Sequence, residues 1–219
     1  MARSGRDNRL IRTALLGGSF NPAHQGHRHI SRTALRALDA DAMWWMVSPG
    51  NPLKSGAADM APLNARLRSA KRMACRAPIH ATAIEANLGT RYTVDTLRAI
   101  VRRYPNRQFI WIMGADNLAQ FHRWKDWRAI ARLMPIAVVA RPSYNGYAQA
   151  SRAVGWLRKF VRPARQAKQW TKWRPPALVL LRFRPDQTSA TALRRDKPDW
   201  YSDFPRKPVR DSVTRRLIY

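Results

Sequence analysis

Gly17-Gly18-Ser19-Phe20-Asn21-Pro22-Ala23-His24-Gln25-Gly26-His27 is the stretch that decides the fold. A short apolar run, Thr13 to Leu16, leads into it, and a segment with helical periodicity, Gly26 to Leu38, leaves it. It therefore sits where a first strand ends and a first helix begins. Two glycines there permit a tight turn and close approach of backbone to a ligand. A helix opening near Gly26 points N–H groups and the positive end of its dipole at the same place, which favours phosphate. His24 and His27, three apart on a helical first turn, share a face and can both reach a phosphate chain. Gly26 between them leaves room for a flat base against the backbone. An ordinary loop explains a Gly-Gly pair alone, but not one followed by His-x-Gly-His. A zinc site is the other reading of His24, His27 and His29, and it lacks an acidic or cysteine partner nearby in sequence.

Outward from this stretch, apolar runs short enough to be buried strands recur at Ala42 to Val47, Ile79 to Ile84, Gln108 to Met113 and Ile136 to Ala140. Helical segments lie between them at Asn64 to Cys75, Thr93 to Tyr104 and Trp127 to Leu133. The alternation predicts an α/β protein with a Rossmann-like, doubly wound parallel sheet whose ligands bind beyond the carboxyl ends of the strands. After Ala140 the texture changes. No acidic residue occurs from Arg128 to Pro185, while Arg158, Lys159, Arg162, Arg165, Lys168, Lys172 and Arg174 crowd a stretch that also holds Trp156, Trp170 and Trp173. A strand returns at Ala177 to Phe183 and a final helix is predicted at Val209 to Ile218, giving a small C-terminal helical part. The expected organisation is a basic, mobile lead-in (residues 1–12) and a single domain (13–219), in which 143–176 is a basic, Trp-containing elaboration.

Composition narrows the function classes. The 219 residues include 41 Lys+Arg against 13 Asp+Glu, a net charge of +28, which predicts attraction for nucleotides, nucleic acid or anionic lipid. The lone Cys75 excludes an intramolecular disulfide framework and a cysteine-based zinc site, and fits a reducing cytoplasm. No apolar run approaches the roughly 18 residues of a membrane span. Behind Arg3, Arg6, Arg9 and Arg12 the apolar stretch Ala14 to Leu16 is too short for a signal-peptide core. A cytoplasmic protein with no membrane partner is expected; its oligomeric state is left open.

Four further segments occur in a telling order: Asn51-Pro52-Leu53-Lys54, Tyr92-Thr93-Val94-Asp95-Thr96-Leu97, Gly114-Ala115-Asp116-Asn117-Leu118 followed by Phe121, Trp124 and Trp127, and Ala140-Arg141-Pro142. With His-x-Gly-His, they make the sequence resemble the nucleotidylyltransferase superfamily and, more closely, its bacterial nicotinate mononucleotide adenylyltransferases. The likeness spans Thr13 to Arg141 and resumes at Thr188 to Arg194. There the family's Ile-Ser-Ser-Thr-x-Ile-Arg reads Thr188-Ser189-Ala190-Thr191-Ala192-Leu193-Arg194. Ala190 replaces the second serine and receives no phosphate role.

The resemblance implies transfer of the adenylyl group of ATP to nicotinate mononucleotide, giving nicotinate adenine dinucleotide and pyrophosphate in NAD biosynthesis. It implies His24, His27 and Arg194 as catalytic residues. ATP would be bound by Gly17, Gly18, Ser19, Phe20, His24, Gly26, His27, Gly114, Asp116, Ser189, Thr191 and Arg194. The nicotinate nucleotide would be bound by Ser19, Lys54, Thr93, Lys125 and Trp124, the last stacking on the pyridine ring. Mg2+ would enter with ATP, held mainly through its phosphates and not at a protein metal site. Local alternatives stand beside several of these: Ser189 and Asp116 as helix N-caps, Lys54 as a solvated lysine. Trp127, Trp44, Trp45 and Trp111 are assigned to packing, and His29, His80 and His122 to no role.

The attacking group in that reaction is a phosphate oxygen already ionised near neutral pH, so no general base is required. This agrees with a sequence whose only glutamate is Glu85 and which offers no carboxylate pair or triad. Rival readings are another nucleotidylyltransferase, of the pantetheine-phosphate adenylyltransferase or cytidylyltransferase type, and a nucleic-acid-binding protein. The second rests on Arg152 to Arg174, where cations alternate with tryptophans as a stacking surface would require. A solvated arginine-rich face, binding nucleic acid at most non-specifically, is the third.

Overall fold

A computed structural model describes residues 9–50, 60–140, 151–182, 186 and 188–219. Strands are β1 (Ile11–Gly18), β2 (Ala42–Val47), β3 (Ile79–Thr82), β4 (Arg107–Gly114), β5 (Ile136–Ala140), β6 (Val161–Arg162), β7 (Leu178–Arg182), β8 (Val209–Arg210) and β9 (Leu217–Ile218). Helices are α1 (Gln25–Leu38), α2 (Leu63–Ala74), α3 (Ile84–Leu88), α4 (Thr93–Arg103), α5 (Ala115–Gln120), α6 (Trp127–Leu133), α7 (Arg152–Leu157) and α8 (Ala190–Asp196). The first seven strands form one sheet in the order β3-β2-β1-β4-β5-β7-β6, every pair parallel. The doubly wound α/β reading is borne out.

A parallel sheet covered on both faces needs strands that are apolar on both sides, and all six residues of β2, Ala-Met-Trp-Trp-Met-Val, are buried. Its alternating side chains feed two cores. Trp45 joins Ala34, Leu35 and Leu38 of α1 and Leu67 and Ala70 of α2 on one face, while Trp44 joins Val94, Leu97 and Ile100 of α4 and Ile130 of α6 on the other. The packing assignments of Trp44, Trp45, Trp111 and Trp127 agree with this burial. β1 is flanked by β2 on one side and β4 on the other, so strand order reverses there and a crevice opens above their carboxyl ends.

Three expectations are corrected. The run Ile79 to Ile84 is a strand only to Thr82, since Ile84 opens α3 and turns its side chain into the core. The segment Val209 to Ile218 is not a helix but the antiparallel hairpin β8–β9, in which Val209 pairs with Ile218 and both are buried. Asp211 explains the difference. Fully buried, it accepts the N–H groups of Val213 and Thr214 and so closes a turn, and its other oxygen accepts Thr82 Oγ1 and the Ala83 N–H beyond β3. The C-terminal helical part is therefore α8 and a 3-10 turn, Trp200–Asp203. Finally, the lead-in does not run to Arg12: Ile11 and Arg12 belong to β1, and Arg9 and Arg12 pair with Asp41, Arg12 also with Asp39. Residues 1–8 and 141–150 lie outside the described residues.

Candidate active site at the carboxyl edge

Gly17 and Gly18 are the last two residues of β1, in register with Met46 and Val47, and not a turn as expected. The need for glycine at position 17 is steric: a Cβ there would lie 2.7 Å from the Trp111 ring. The chain bends after Ser19, where Phe20 takes a left-handed backbone conformation (φ 47°), and its buried ring packs on Trp45 at 5.1 Å and His27 at 4.7 Å. Ser19 is exposed at the crevice. Phe20 thus supports the loop from beneath and can offer a nucleotide only its backbone.

His24 is the N-cap of α1. Its Nδ1 accepts the Gly26 N–H at 3.2 Å, and His27 Nδ1 accepts the His24 N–H at 3.2 Å, a reciprocal capping box built from imidazoles. With both Nδ1 atoms acting as acceptors, each neutral ring carries its proton on Nε2, ready to donate. The ring centroids are 3.9 Å apart. Burial and, secondarily, the neighbouring His24 hold the His27 pKa down to about 3, so His27 is neutral at working pH. Gly26 is required between them because a Cβ would lie 2.9 Å from the His24 ring and 3.2 Å from the Thr188 carbonyl. The backbone at Gly26 thus lies against the protein's own C-terminal motif.

The C-terminal motif meets the loop directly. Arg194 donates from Nη1 to the Asn21 carbonyl at 2.7 Å, and Ser189 caps α8 by accepting the Ala192 N–H at 3.1 Å, as its local alternative requires. Thr191 and Arg194, with Ala61 and Tyr201, line a cleft of about 550 Å³, within the size range of small-ligand sites.

Sequence reasoning missed Arg66, Asn21 and Ser69. Arg66, in α2 and 1% exposed, donates to four carbonyls: Ala61 at 2.8 Å, Ser19 at 2.9 Å, Ser48 at 2.6 Å and Pro49 at 3.2 Å. It joins the loop after β1 to the loop after β2. Ser69, one turn on, accepts the Ala23 N–H at 3.2 Å, and Asn21, 3% exposed, accepts the Ala61 N–H at 3.3 Å. The available signal was periodicity: Arg66, Ser69, Ala70 and Ala74 all fall on the buried face of α2.

On the other side of the crevice, Gly114 ends β4 and Asp116, exposed, stands in the first turn of α5. Gly114, not Asp116, occupies the N-cap, so the capping alternative for Asp116 is set aside. Thr93 opens α4, whose N-cap Tyr92 provides no side-chain cap. Lys125 Nζ lies 3.4 Å from Asp95 of that helix and 4.4 Å from the Tyr92 ring centroid, against the first turn that Thr93 opens. Trp124, partly exposed, stands edge-on to Trp111 at 6.3 Å and Phe121 at 5.4 Å. Lys54 lies outside the described residues.

Glu85, in the first turn of α3, shares a side-chain hydrogen bond with Ser48, whose N–H donates to the Gly18 carbonyl at 3.0 Å. Burial raises its pKa to about 7. His27 and Glu85 then oppose each other in acid stability. Between about pH 3 and 6.5 the unfolded chain binds the extra proton at His27, so stability is full above that window and is lost as pH falls through it. Between about pH 4.5 and 7 the folded chain holds the extra proton at Glu85, so stability is full below that window and is lost as pH rises through it. Where the windows overlap the slopes, each at most about 1.4 kcal/mol per pH unit, offset one another. Urea unfolding between pH 4.5 and 6.5 is expected to give stability falling with pH in His27→Gln and rising with pH in Glu85→Gln. Parallel slopes in both variants would refute the opposition.

The cytidylyltransferase-like family model matches residues 15–196. Over 209 residues the chain is 61% identical to a protein of Erythrobacter litoralis named "probable nicotinate-nucleotide adenylyltransferase", covering 95% of each. A protein of the same name from Parvibaculum lavamentivorans is 48% identical over 184 residues, 84% of this chain and 91% of that one. Among solved structures the chain is similar to Plasmodium falciparum nicotinic acid mononucleotide adenylyltransferase complexed with NaAD. The TM-score is 0.61 at 14% identity, with 84% of this chain and 83% of that one covered, a likeness of fold.

Proposed function

The chain belongs to the cytidylyltransferase-like family and, within it, to the nicotinate-nucleotide adenylyltransferases, and on that premise we propose how its residues transfer the adenylyl group of ATP to nicotinate mononucleotide. The observation that carries the reading is the meeting of the His24–Gly26–His27 helix cap with the Thr188–Arg194 motif at the β1/β4 reversal. A phosphate oxygen of the mononucleotide attacks the α-phosphorus, the bond from it to the bridging oxygen breaks, and pyrophosphate leaves. Alignment and stabilisation of developing negative charge are the chain's contribution.

His24 and His27 donate from Nε2, His27 as a neutral group, and Arg194 supplies positive charge at the same loop. Among the described residues no cluster of three or more His, Cys, Asp or Glu is placed to cage a metal. Mg2+ would enter with ATP, held mainly through the triphosphate, and would neutralise phosphate charge, with the exposed Asp116 assigned to ATP. Thr93, Trp124 and Lys125 are assigned to the nicotinate ring and its carboxylate, and Lys54 to phosphate. A single-domain organisation and a cytoplasmic location complete the reading.

The test is to incubate the purified protein with ATP, Mg2+ and a panel of phosphorylated acceptors and follow pyrophosphate release. Nicotinate mononucleotide is expected to be used, and phosphopantetheine and cytidylyltransferase acceptors to be idle. The acid should exceed nicotinamide mononucleotide by about tenfold to a hundredfold in kcat/KM. A carboxylate only accepts hydrogen bonds, whereas an amide aims donors at backbone N–H groups and leaves one unpaired, at about 1–3 kcal/mol. Trp124→Ala should weaken use of the mononucleotide and leave ATP binding largely intact. Equal use of the amide would overturn the pocket.

A further inference from the structure

Adenylyl transfer leaves the basic segment unused: its first helix, α7, packs on α5, but the stretch from Val161 to Thr171 runs to the amino ends of the strands. β6 pairs with the first two residues of β7, Val161 with Leu178 and Arg162 with Val179. Trp170 Nε1 donates at 3.0 Å to the carbonyl of Leu38, the last residue of α1, and Gln108, second in β4, reaches the Thr171 carbonyl at 3.4 Å. These attachments all lie at the amino ends of the strands. The loops after Gly18, Val47 and Gly114 lie at the carboxyl ends, so anionic substrates do not account for the cations here.

Arg158, Lys159, Arg162, Arg165, Lys168 and Lys172 are all exposed, and none forms an ion pair among the described residues. Ala164–Lys172 is a 3-10 segment, in which residues three apart stand above one another, about 6 Å apart. Ala167 and Trp170 form its buried row; Arg165 and Lys168 form an outer row. Of the three tryptophans that alternate with these cations, Trp170 is buried in the core, while Trp156, edge-on to Trp127 at 5.3 Å, and Trp173 are partly buried against the two cores, so the continuous stacking surface that the sequence suggested is not formed.

We propose that this amino-edge face binds the phosphodiester backbone of nucleic acid, as a function separate from adenylyl transfer. With no continuous stacking surface the contact is to phosphate alone, so it is independent of base sequence and does not favour single strands over duplex. A membrane-surface segment would instead turn its Trp and Phe outward, and the large apolar side chains exposed here are Val161 and Leu180.

The test is fluorescence polarisation of the full chain with a labelled RNA and a labelled DNA duplex, each about 20 nucleotides long, in near-physiological salt. Both are expected to bind, with affinity falling about a thousandfold between 50 and 200 mM salt for some six phosphate contacts. The triple variant Arg162→Glu/Arg165→Glu/Lys168→Glu should lower affinity at least about tenfold with adenylyl transfer unchanged. Arg206→Glu/Lys207→Glu/Arg216→Glu, the same change in net charge elsewhere, should lower it less than about threefold. Equal losses in both triples would reduce the effect to net charge and overturn the face, as would absence of binding in physiological salt. Binding to anionic vesicles but not to either nucleic acid would overturn it in favour of a membrane.

Discussion

His24→Asn and His27→Gln are each expected to lower turnover at least about a hundredfold while leaving the fold within a few degrees of wild-type Tm. The choice of replacements follows from the structure. Alanine at either position would confuse two effects, because His24 caps α1, a contribution of about 1 kcal/mol, and the His27 ring packs on Phe20 at 4.7 Å and Trp45 at 6.0 Å. Asparagine keeps an acceptor at the N-cap and glutamine keeps the reciprocal bond at the third helical position. Both lose the imidazole Nε2–H. Loss of one preorganised donor to a developing phosphate charge costs about 2.7–4 kcal/mol, which is the stated hundredfold or more. The readout is kcat from pyrophosphate release beside thermal unfolding. Turnover within about threefold of wild type in both folded variants would remove the histidines from the chemistry.

Arg66→Met should be the most damaging single change outside the histidines. Arg66 is a buried guanidinium satisfied by four backbone carbonyls, with no carboxylate among its bonds. Desolvation lowers its pKa to about 10, which still leaves it charged at neutral pH. Methionine matches the stem but strands the four carbonyls, one in a buried bond and three in part-buried ones, and a buried acceptor left unpaired costs about 1–3 kcal/mol. Stability should fall by at least about 3 kcal/mol even if water reaches some of them. In the fraction that folds, the loops carrying Ser19 and Ser48 lose their common anchor, and KM for both substrates should rise about tenfold. Arg66→Lys separates charge from geometry: a lysine keeps the cation but cannot span four carbonyls with its compact ammonium. Its stability should recover in part and its KM should stay raised. Wild-type Tm and KM in Arg66→Met would show that the loops are held by other contacts.

Five strands of the parallel sheet, β1 to β5, and the return strand β7 are legible in local pattern alone. Short apolar runs covered on both sides, as in Ala42–Val47, can be satisfied only by a parallel sheet with helices on each face, and His-x-Gly-His after the first of them marked the phosphate end. Such local patterns are legible because periodicity and capping act over three or four residues. Contacts across the chain decided the rest. Whether Arg66 faced water or four carbonyls depended on loops up to 47 residues away in the chain. Asp211 turned a helix-like stretch into a hairpin by bonding to residues 128 and 129 positions earlier. The indoles of the basic segment looked like a stacking surface until Trp170 found the Leu38 carbonyl. In each case a polar group had to be paired inside the protein, and the partner that pays its desolvation lies where only the folded chain brings it.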